Sequence, residues 1–218
     1  MAAYLGIAPG GSARTALDAG WHAVAPRAGE RAYWLTWRVR PRGRESGNGP
    51  DTGYKLYVSP ALDALETAVA TVAGSLASSR GVSAFKVGAD LRGICRPDKL
   101  VVYFDRLDDL YHGAACLRKE LAGCPAHGVP FTAAVTHDGL LSWGADPPAA
   151  SAANGAAAGS WRTWVTERLA EYLVVARDAG PSELEPWQFA LERLRMGGID
   201  TDTWVPASGM WPQALVSF

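Results

Sequence analysis

The stretch YKLYVSP at residues 54–60 and the short segment AFKV at residues 84–87 are the parts of the sequence that most clearly indicate the fold. Both segments predict β-strands, and the periodic apolar residues between them predict a helix. In the first strand, alternation places Lys55 and Tyr57 on one face and Tyr54, Leu56 and Val58 on the other. Lys86 stands between two apolar residues of the second strand. Because a lysine among core residues is costly without an anionic partner, these side chains must face such a partner or water.

The rest of the chain continues this pattern of short strands and amphipathic helices. Ser59 and Pro60 have the residue types of a helix start, as N-cap and first helical position. The pattern predicts an α+β fold with a mainly antiparallel twisted sheet and helices packed on it. We expect further strands at 31–40 and 100–104, a hairpin of 129–135 with 140–143, and helices at 59–79, 108–121, 160–177 and 182–196.

Composition favours a single domain over residues 1–218, with flexible loops near 41–53 and 145–159, where Gly, Pro, Arg, Ala or Ser predominate. The net charge of −1 gives no overall field for nucleic acid or an acidic membrane. With no secretory signal pattern and no long apolar run, we expect a cytoplasmic protein. The cysteines and histidines show no metal-ligand spacing, so no metal is expected.

The residues best suited to catalysis or anion binding are cations and phenols on predicted strands and in neighbouring loops. Several fixed cations facing one pocket would bind a phosphate. A lysine desolvated among cations would have a lowered pKa and could act as a general base. Taken singly, a strand lysine or a loop arginine more often lies on a solvated surface, so spacing alone does not establish a site. The candidates are Lys55, Tyr57, Lys86, Lys99 and Tyr103 on or beside strands, Arg92 and Arg96 in the loop before residue 99, and Arg162 in the first turn of a helix.

The order of these motifs resembles the phosphothreonine lyase scaffold. The motifs are KLYVSP at 55–60, a helix, FKV at 85–87, an arginine-containing loop and KLVVYF at 99–104. That scaffold occurs in bacterial type III effector lyases and in the lyase domains of class III and IV lanthipeptide synthetases. It is also suspected in effector-like proteins of thioamitide and class V lanthipeptide clusters, which share a tyrosine where effector lyases have histidine. The resemblance covers about residues 53–165.

The resemblance implies three catalytic roles. Lys86 matches the general base that removes the Cα proton, and Lys55 matches a lysine that contacts phosphate or stabilises the enolate. Tyr57 falls where effector lyases place a histidine general acid. A phenol is protonated at neutral pH and can donate a proton, so the change is compatible with catalysis. It is equally compatible with an inactive copy.

The resemblance also implies a phosphate-binding set. Arg96, or failing it Arg92, matches a phosphate-binding arginine, and Tyr103 matches an aromatic residue near the site. Lys99 and Arg162 are added as further phosphate-binding candidates.

The implied activity is elimination of phosphate from phosphoserine or phosphothreonine in a ribosomal precursor peptide, leaving dehydroalanine or dehydrobutyrine. No metal or organic cofactor would be required. A separate kinase and a cyclase would be partners, and nucleic acid and membranes would not. The alternative is a non-catalytic module that binds a phosphopeptide or leader peptide. Convergence of Lys55, Tyr57, Lys86 and an arginine would favour the lyase, and scatter over both sheet faces would favour the alternative.

Overall fold

The structure is a computed structural model that describes residues 1–25, 33–40, 53–147, 160–179 and 184–207. The predicted loops at 41–53 and 145–159 lie outside the described residues except at their ends. The described helices and strands are α1 (Arg14–Gly20), β1 (Trp21–Val24), β2 (Trp34–Val39), β3 (Tyr54–Val58), α2 (Leu65–Leu76), β4 (Val82–Gly88), α3 (Leu91–Ile94), β5 (Leu100–Phe104), α4 (Leu107–Glu120), β6 (Ala133–Ala134), β7 (Leu141–Ala145), α5 (Trp161–Asp178), α6 (Pro186–Met196), β8 (Ile199–Asp200) and β9 (Val205–Pro206).

Seven of the described strands form one sheet, in the order β1-β2-β4-β5-β3-β7-β6. The pairs that link β1, β2, β4, β5 and β3 are all antiparallel. The fold is therefore α+β with a mainly antiparallel sheet, which confirms the predicted fold class. In the described residues no helix combines the length and apolar character that crossing a bilayer requires.

One face of the sheet forms the hydrophobic core with α2 and α4. Its side chains include Leu56, Phe85 and Val102, each with no exposed surface. Fully burying an aliphatic or aromatic side chain contributes about 1.5–3 kcal/mol each. The helical residues that are buried with them are Leu65, Val69, Val72, Leu76, Leu110, Ala114 and Leu117.

Helix α3 crosses the end of β4 at close range, and glycine makes that approach possible. A Cβ atom added at Gly88 would lie 2.3 Å from the Gly93 carbonyl carbon, and one at Gly93 would lie 2.8 Å from Gly88 Cα. The Asp90 side chain caps α3 by accepting a hydrogen bond from the Gly93 N–H group. This packing fixes where the chain leaves α3.

The predicted helix start at Ser59 is wrong. Helix α2 begins at Leu65, after a short 3-10 turn at Leu62–Ala64. Ser59 is fully buried, and its hydroxyl donates to Pro97 O at 2.6 Å and lies 3.2 Å from Gly128 O. The serine therefore joins two loops to the end of β3 instead of capping a helix.

The chain divides into two compact units, Met1–Val129 with Ala134–Trp143, and Pro130–Ala133 with the chain from Gly144. In the second unit the Ser160 hydroxyl caps α5 as predicted, whereas the capping box of α6 uses Glu185 and Gln188. The box predicted to begin at Ser182 starts outside the described residues. Compact units can belong to one domain, so the single-domain expectation stays a prediction.

Gly88→Ala should destabilise the protein by about 1–3 kcal/mol, because the new methyl group overlaps the α3 backbone. Urea unfolding monitored by circular dichroism measures this change. Gly74→Ala is the matched control: nothing lies within 4 Å of its added Cβ in α2. It should stabilise by about 0.5–1 kcal/mol through helix propensity. Equal effects of the two substitutions would contradict the packing argument.

Candidate functional site

Strand register brings the predicted lysines to one face of the sheet, opposite the α2 and α4 core. Lys86 of β4 pairs with Val101 of β5, which pairs on its other side with Tyr57 of β3. In the next row, Lys55 pairs with Tyr103. Directly paired residues of antiparallel strands share a face. The four side chains Lys55, Tyr57, Lys86 and Tyr103 therefore lie on the same side.

The Tyr103 ring lies between the two lysines. Lys55 Nζ is 5.8 Å from the ring centroid, and Lys86 Nζ is 5.4 Å from it. Both distances are within the range of cation–π attraction, which contributes about 0.5–2 kcal/mol per contact. The ring therefore helps to hold two like charges on one surface.

A second ring, Trp34 of β2, extends the cluster to an arginine. Lys86 Nζ lies 4.3 Å from the Trp34 ring centroid, and the Arg96 guanidinium carbon lies 5.7 Å from it. Of the two predicted loop arginines, Arg96 thus contacts the cluster through Trp34. Arg92 is exposed on α3. We call Lys55, Lys86, Arg96, Trp34 and Tyr103 the cation cluster.

Asp98 fixes the position of the Arg96 guanidinium group. Arg96 Nε and Nη2 each donate to an Asp98 carboxylate oxygen at 2.9 Å. This hydrogen bonding raises the pKa of Arg96 above its ordinary value. A guanidinium group has five N–H donors, and this pair uses two of them. The remaining donors are available to an anion, and about half of the arginine side chain is exposed (54%).

Tyr57 is on the predicted face but is covered. Its exposed fraction is 2%, and it packs in a small cluster with Val101 and Val129, against which Tyr103 also packs. Val129 is far from Tyr57 along the chain, so the local sequence pattern could not predict this contact. The acid role of Tyr57 stays a prediction, and its burial argues for a small contribution.

Lys99 lies on the same face but is fully buried. Its Nζ donates to Pro60 O at 2.9 Å and lies 2.8 Å from His127 Nδ1. The backbone of His127 in turn donates to Ser59 O at 2.8 Å. These contacts make Lys99 a link between the end of β3 and the loop that carries Val129. A phosphate-binding role for Lys99 stays a prediction, and none of these contacts supports it.

Arg162 lies in the second unit, in the first turn of α5. Its Nε donates to Pro130 O at 3.2 Å. Its predicted phosphate-binding role stays a prediction. Within the described residues, no group of three or more His, Cys, Asp or Glu side chains has an arrangement that could hold a metal ion.

Trp34 is the residue of the cluster that sequence analysis missed. The alternation of the strand at 31–40 places Trp34 on the same face as Thr36 and Arg38. That pattern predicts the face on which Trp34 lies but not that it lies beside Lys86. The strand pairing that brings them together, Thr36 with Lys86, joins residues far apart in the chain.

No protein-family model and no curated protein matches this chain. Among solved structures it is similar to an effector protein from Pseudomonas syringae pv. tomato strain DC3000, with a TM-score of 0.50 and 14% identity, over 80% of this chain and 62% of that one. It is also similar to a phosphothreonine lyase (TM-score 0.46, 15% identity, 57% of this chain and 66% of that one). A third is the type III effector and phosphothreonine lyase OspF from Shigella flexneri (TM-score 0.44, 14% identity, 57% and 69%).

The chain spans somewhat less than two thirds of the Pseudomonas protein, 62% of its length. At 14% identity that similarity is one of fold.

Burial lowers the pKa of the Lys99 ammonium to about 8 from 10.5, although electrostatic interactions with Cys95 and Asp98 oppose the shift. Between these pH values the unfolded chain binds more protons than the folded protein, so this lysine makes stability rise with pH. The free energy of unfolding of the wild type minus that of Lys99→Met should therefore increase from about pH 8 to about pH 10.5, by up to about 3 kcal/mol.

Urea unfolding of both proteins across this pH window measures the difference, and groups that titrate in both cancel. Lys119→Met, at an exposed lysine of α4, is the control and should give a difference that does not change with pH. A pH-independent difference for Lys99→Met would show that Lys99 titrates alike in the folded and unfolded states.

Proposed function

We propose that the protein is a phosphoserine or phosphothreonine lyase that eliminates phosphate from a phosphorylated peptide. The observation that supports this most is the cation cluster. Two lysines and an arginine are arranged on one sheet face around two aromatic rings. The two lysines and the arginine are among the residues that the resemblance to phosphothreonine lyases implies, whereas Tyr57, on the same face, is buried.

In this proposal, Arg96 and Lys55 bind the phosphate. Arginine presents a planar set of donors that suits phosphate oxygens, and lysine adds a compact charge. Asp98 already orients the Arg96 guanidinium, so less side-chain freedom is lost when an anion binds.

Lys86 is the general base. Its neutral amine takes the Cα proton, the C–H electrons form the Cα=Cβ double bond, and the Cβ–O bond breaks with its electrons leaving on phosphate. Lys55 and Arg96 stabilise the negative charge that develops on the leaving group and on the enolate.

Phosphate can leave with little help from an acid when cations neutralise its charge. Tyr57 is the candidate donor of a proton to the leaving oxygen, but it is only 2% exposed. We therefore assign the main catalytic effect to Lys86 and the phosphate-binding cations, and a smaller effect to the Tyr57 hydroxyl.

The biological setting we propose is maturation of a lanthipeptide-type natural product. The substrate would be a ribosomal precursor peptide phosphorylated by a separate kinase, and the dehydroalanine or dehydrobutyrine formed would be used by a cyclase. No step of this elimination requires a metal or an organic cofactor. The protein would act in the cytoplasm, where precursor and kinase are made.

A non-catalytic phosphopeptide- or leader-binding protein is the second candidate. The burial of Tyr57, at the position where effector lyases place a histidine acid, favours this alternative. Such a protein would bind phosphopeptides through the same cations and release them unchanged.

Incubation of the protein with phosphoserine and phosphothreonine peptides should remove phosphoric acid, and mass spectrometry measures that loss. Lys86→Ala should lower the rate by about 10²–10⁴-fold, the usual contribution of a general base. Tyr57→Phe, which keeps the ring and its packing, should lower it less than about tenfold.

Lys119→Ala is the control for loss of an exposed lysine, and its rate should equal that of the wild type. Elimination that persists in Lys86→Ala would reject the assigned base. Tight phosphopeptide binding by the wild type with no elimination would identify the binding protein instead.

A further inference from the structure

The face that carries the cation cluster continues across the sheet to its β1 edge. Ala84 of β4 pairs with Tyr103 on one side and with Arg38 of β2 on the other. Arg38 in turn pairs with His22 of β1. One row of paired residues thus runs from Lys55 on β3 to His22 on β1. Arg38 and His22 belong to the same surface as the cluster.

The charged side chains that strands β1–β5 place on this face are all basic. The Lys, Arg and His residues of β1–β5 are Lys55, Lys86, Arg38 and His22, and register places all four on this face. The same strands contain no Asp or Glu. Both Arg38 and His22 are exposed. We call Arg38 and His22 the edge pair.

We propose that the edge pair is a subsite for an acidic residue of the peptide substrate, beside the phosphate site. The inference rests on the proposed function and adds a substrate preference to it. It is supported by charge complementarity and by the continuity of the edge pair with the cation cluster. An arginine binds a carboxylate through two parallel hydrogen bonds, which a glutamate or aspartate of the peptide would accept.

Sheet geometry sets the distance between the two sites. Lys86 pairs with Thr36, and Arg38 is two residues further along β2. Strands are spaced about 4.8 Å apart and rise about 3.3 Å per residue, so the Cα atoms of Lys86 and Arg38 are about 8 Å apart. An extended peptide covers that distance, plus the reach of the side chains, in about two to four residues. The acidic residue should therefore lie about two to four positions from the phosphoresidue.

A peptide fits this surface better than a polyanion or a membrane. Recognition of anionic lipid uses about four to eight basic residues next to a transmembrane helix or on an amphipathic helix. The Lys and Arg residues of this face, Lys55, Lys86, Arg96 and Arg38, instead lie on sheet strands and in the loop after α3. The net charge of the whole chain is −1, which offers no wider field for nucleic acid. One carboxylate beside one phosphate matches the charge that the face provides.

The test uses phosphopeptides that carry either Glu or Gln at one position, two to four residues before or after the phosphoresidue. Elimination rates give kcat and KM, and fluorescence anisotropy gives binding. At the best position, the wild type should show KM about three- to fivefold lower for the Glu peptide with kcat unchanged, as expected for an exposed ion pair. Raising the salt concentration should reduce the difference.

Arg38→Gln should abolish the preference, and Arg38→Glu should reverse it toward a peptide with Lys at the same position. Arg118→Gln is the matched control, because Arg118 is an exposed arginine of α4, the helix that packs on the opposite face. It should keep the wild-type preference for Glu.

The outcomes separate this inference from the proposed function. Elimination at equal KM for Glu and Gln peptides at every position would overturn the acidic subsite alone. Glu-dependent binding that Arg38→Gln removes, without any elimination, would support the subsite and reject the lyase. Absence of binding to every peptide would overturn both.

Discussion

Two lysine ammonium groups share the ring of Tyr103, and a third cation joins them through Trp34. Like charges on one surface repel, by about 1–2 kcal/mol for a pair 10 Å apart at an effective dielectric constant of 20. Attraction to the faces of two aromatic rings is of similar size and offsets that cost. The arrangement therefore keeps positive charge in place without placing an acidic residue in the strands.

The surroundings of the cluster hold its members by different means. Lys55, Lys86 and Tyr103 are fixed by strand pairing, which leaves little freedom to their backbones. Arg96 follows α3, whose position depends on the glycine contact with β4, and its guanidinium group is held by Asp98. In the proposed lyase, these supports would hold the catalytic groups close to their productive positions.

Much of the fold follows from patterns that act over short distances along the chain. Alternation places Lys55 and Tyr57 on one side of β3, and the helical stripe of α4 matches the apolar spacing of its sequence. The pairing of β4 with β2 and β5 is not encoded locally, because register depends on contacts between distant segments. The sequence could therefore indicate lysines on strands but not the ring of Trp34 beside Lys86. Two further contacts also join distant segments. Val129 packs against Tyr57, and the Ser59 hydroxyl donates a hydrogen bond to Pro97 O.

The central claim is that the cation cluster binds a phosphoryl group on one face of the sheet. A crystal structure of the protein with inorganic phosphate tests it most directly. The account predicts phosphate oxygens within hydrogen-bonding distance of Arg96 and Lys55, with the Lys86 amine on the same side. A phosphate bound elsewhere on the protein, or Lys86 directed away from the anion, would contradict it.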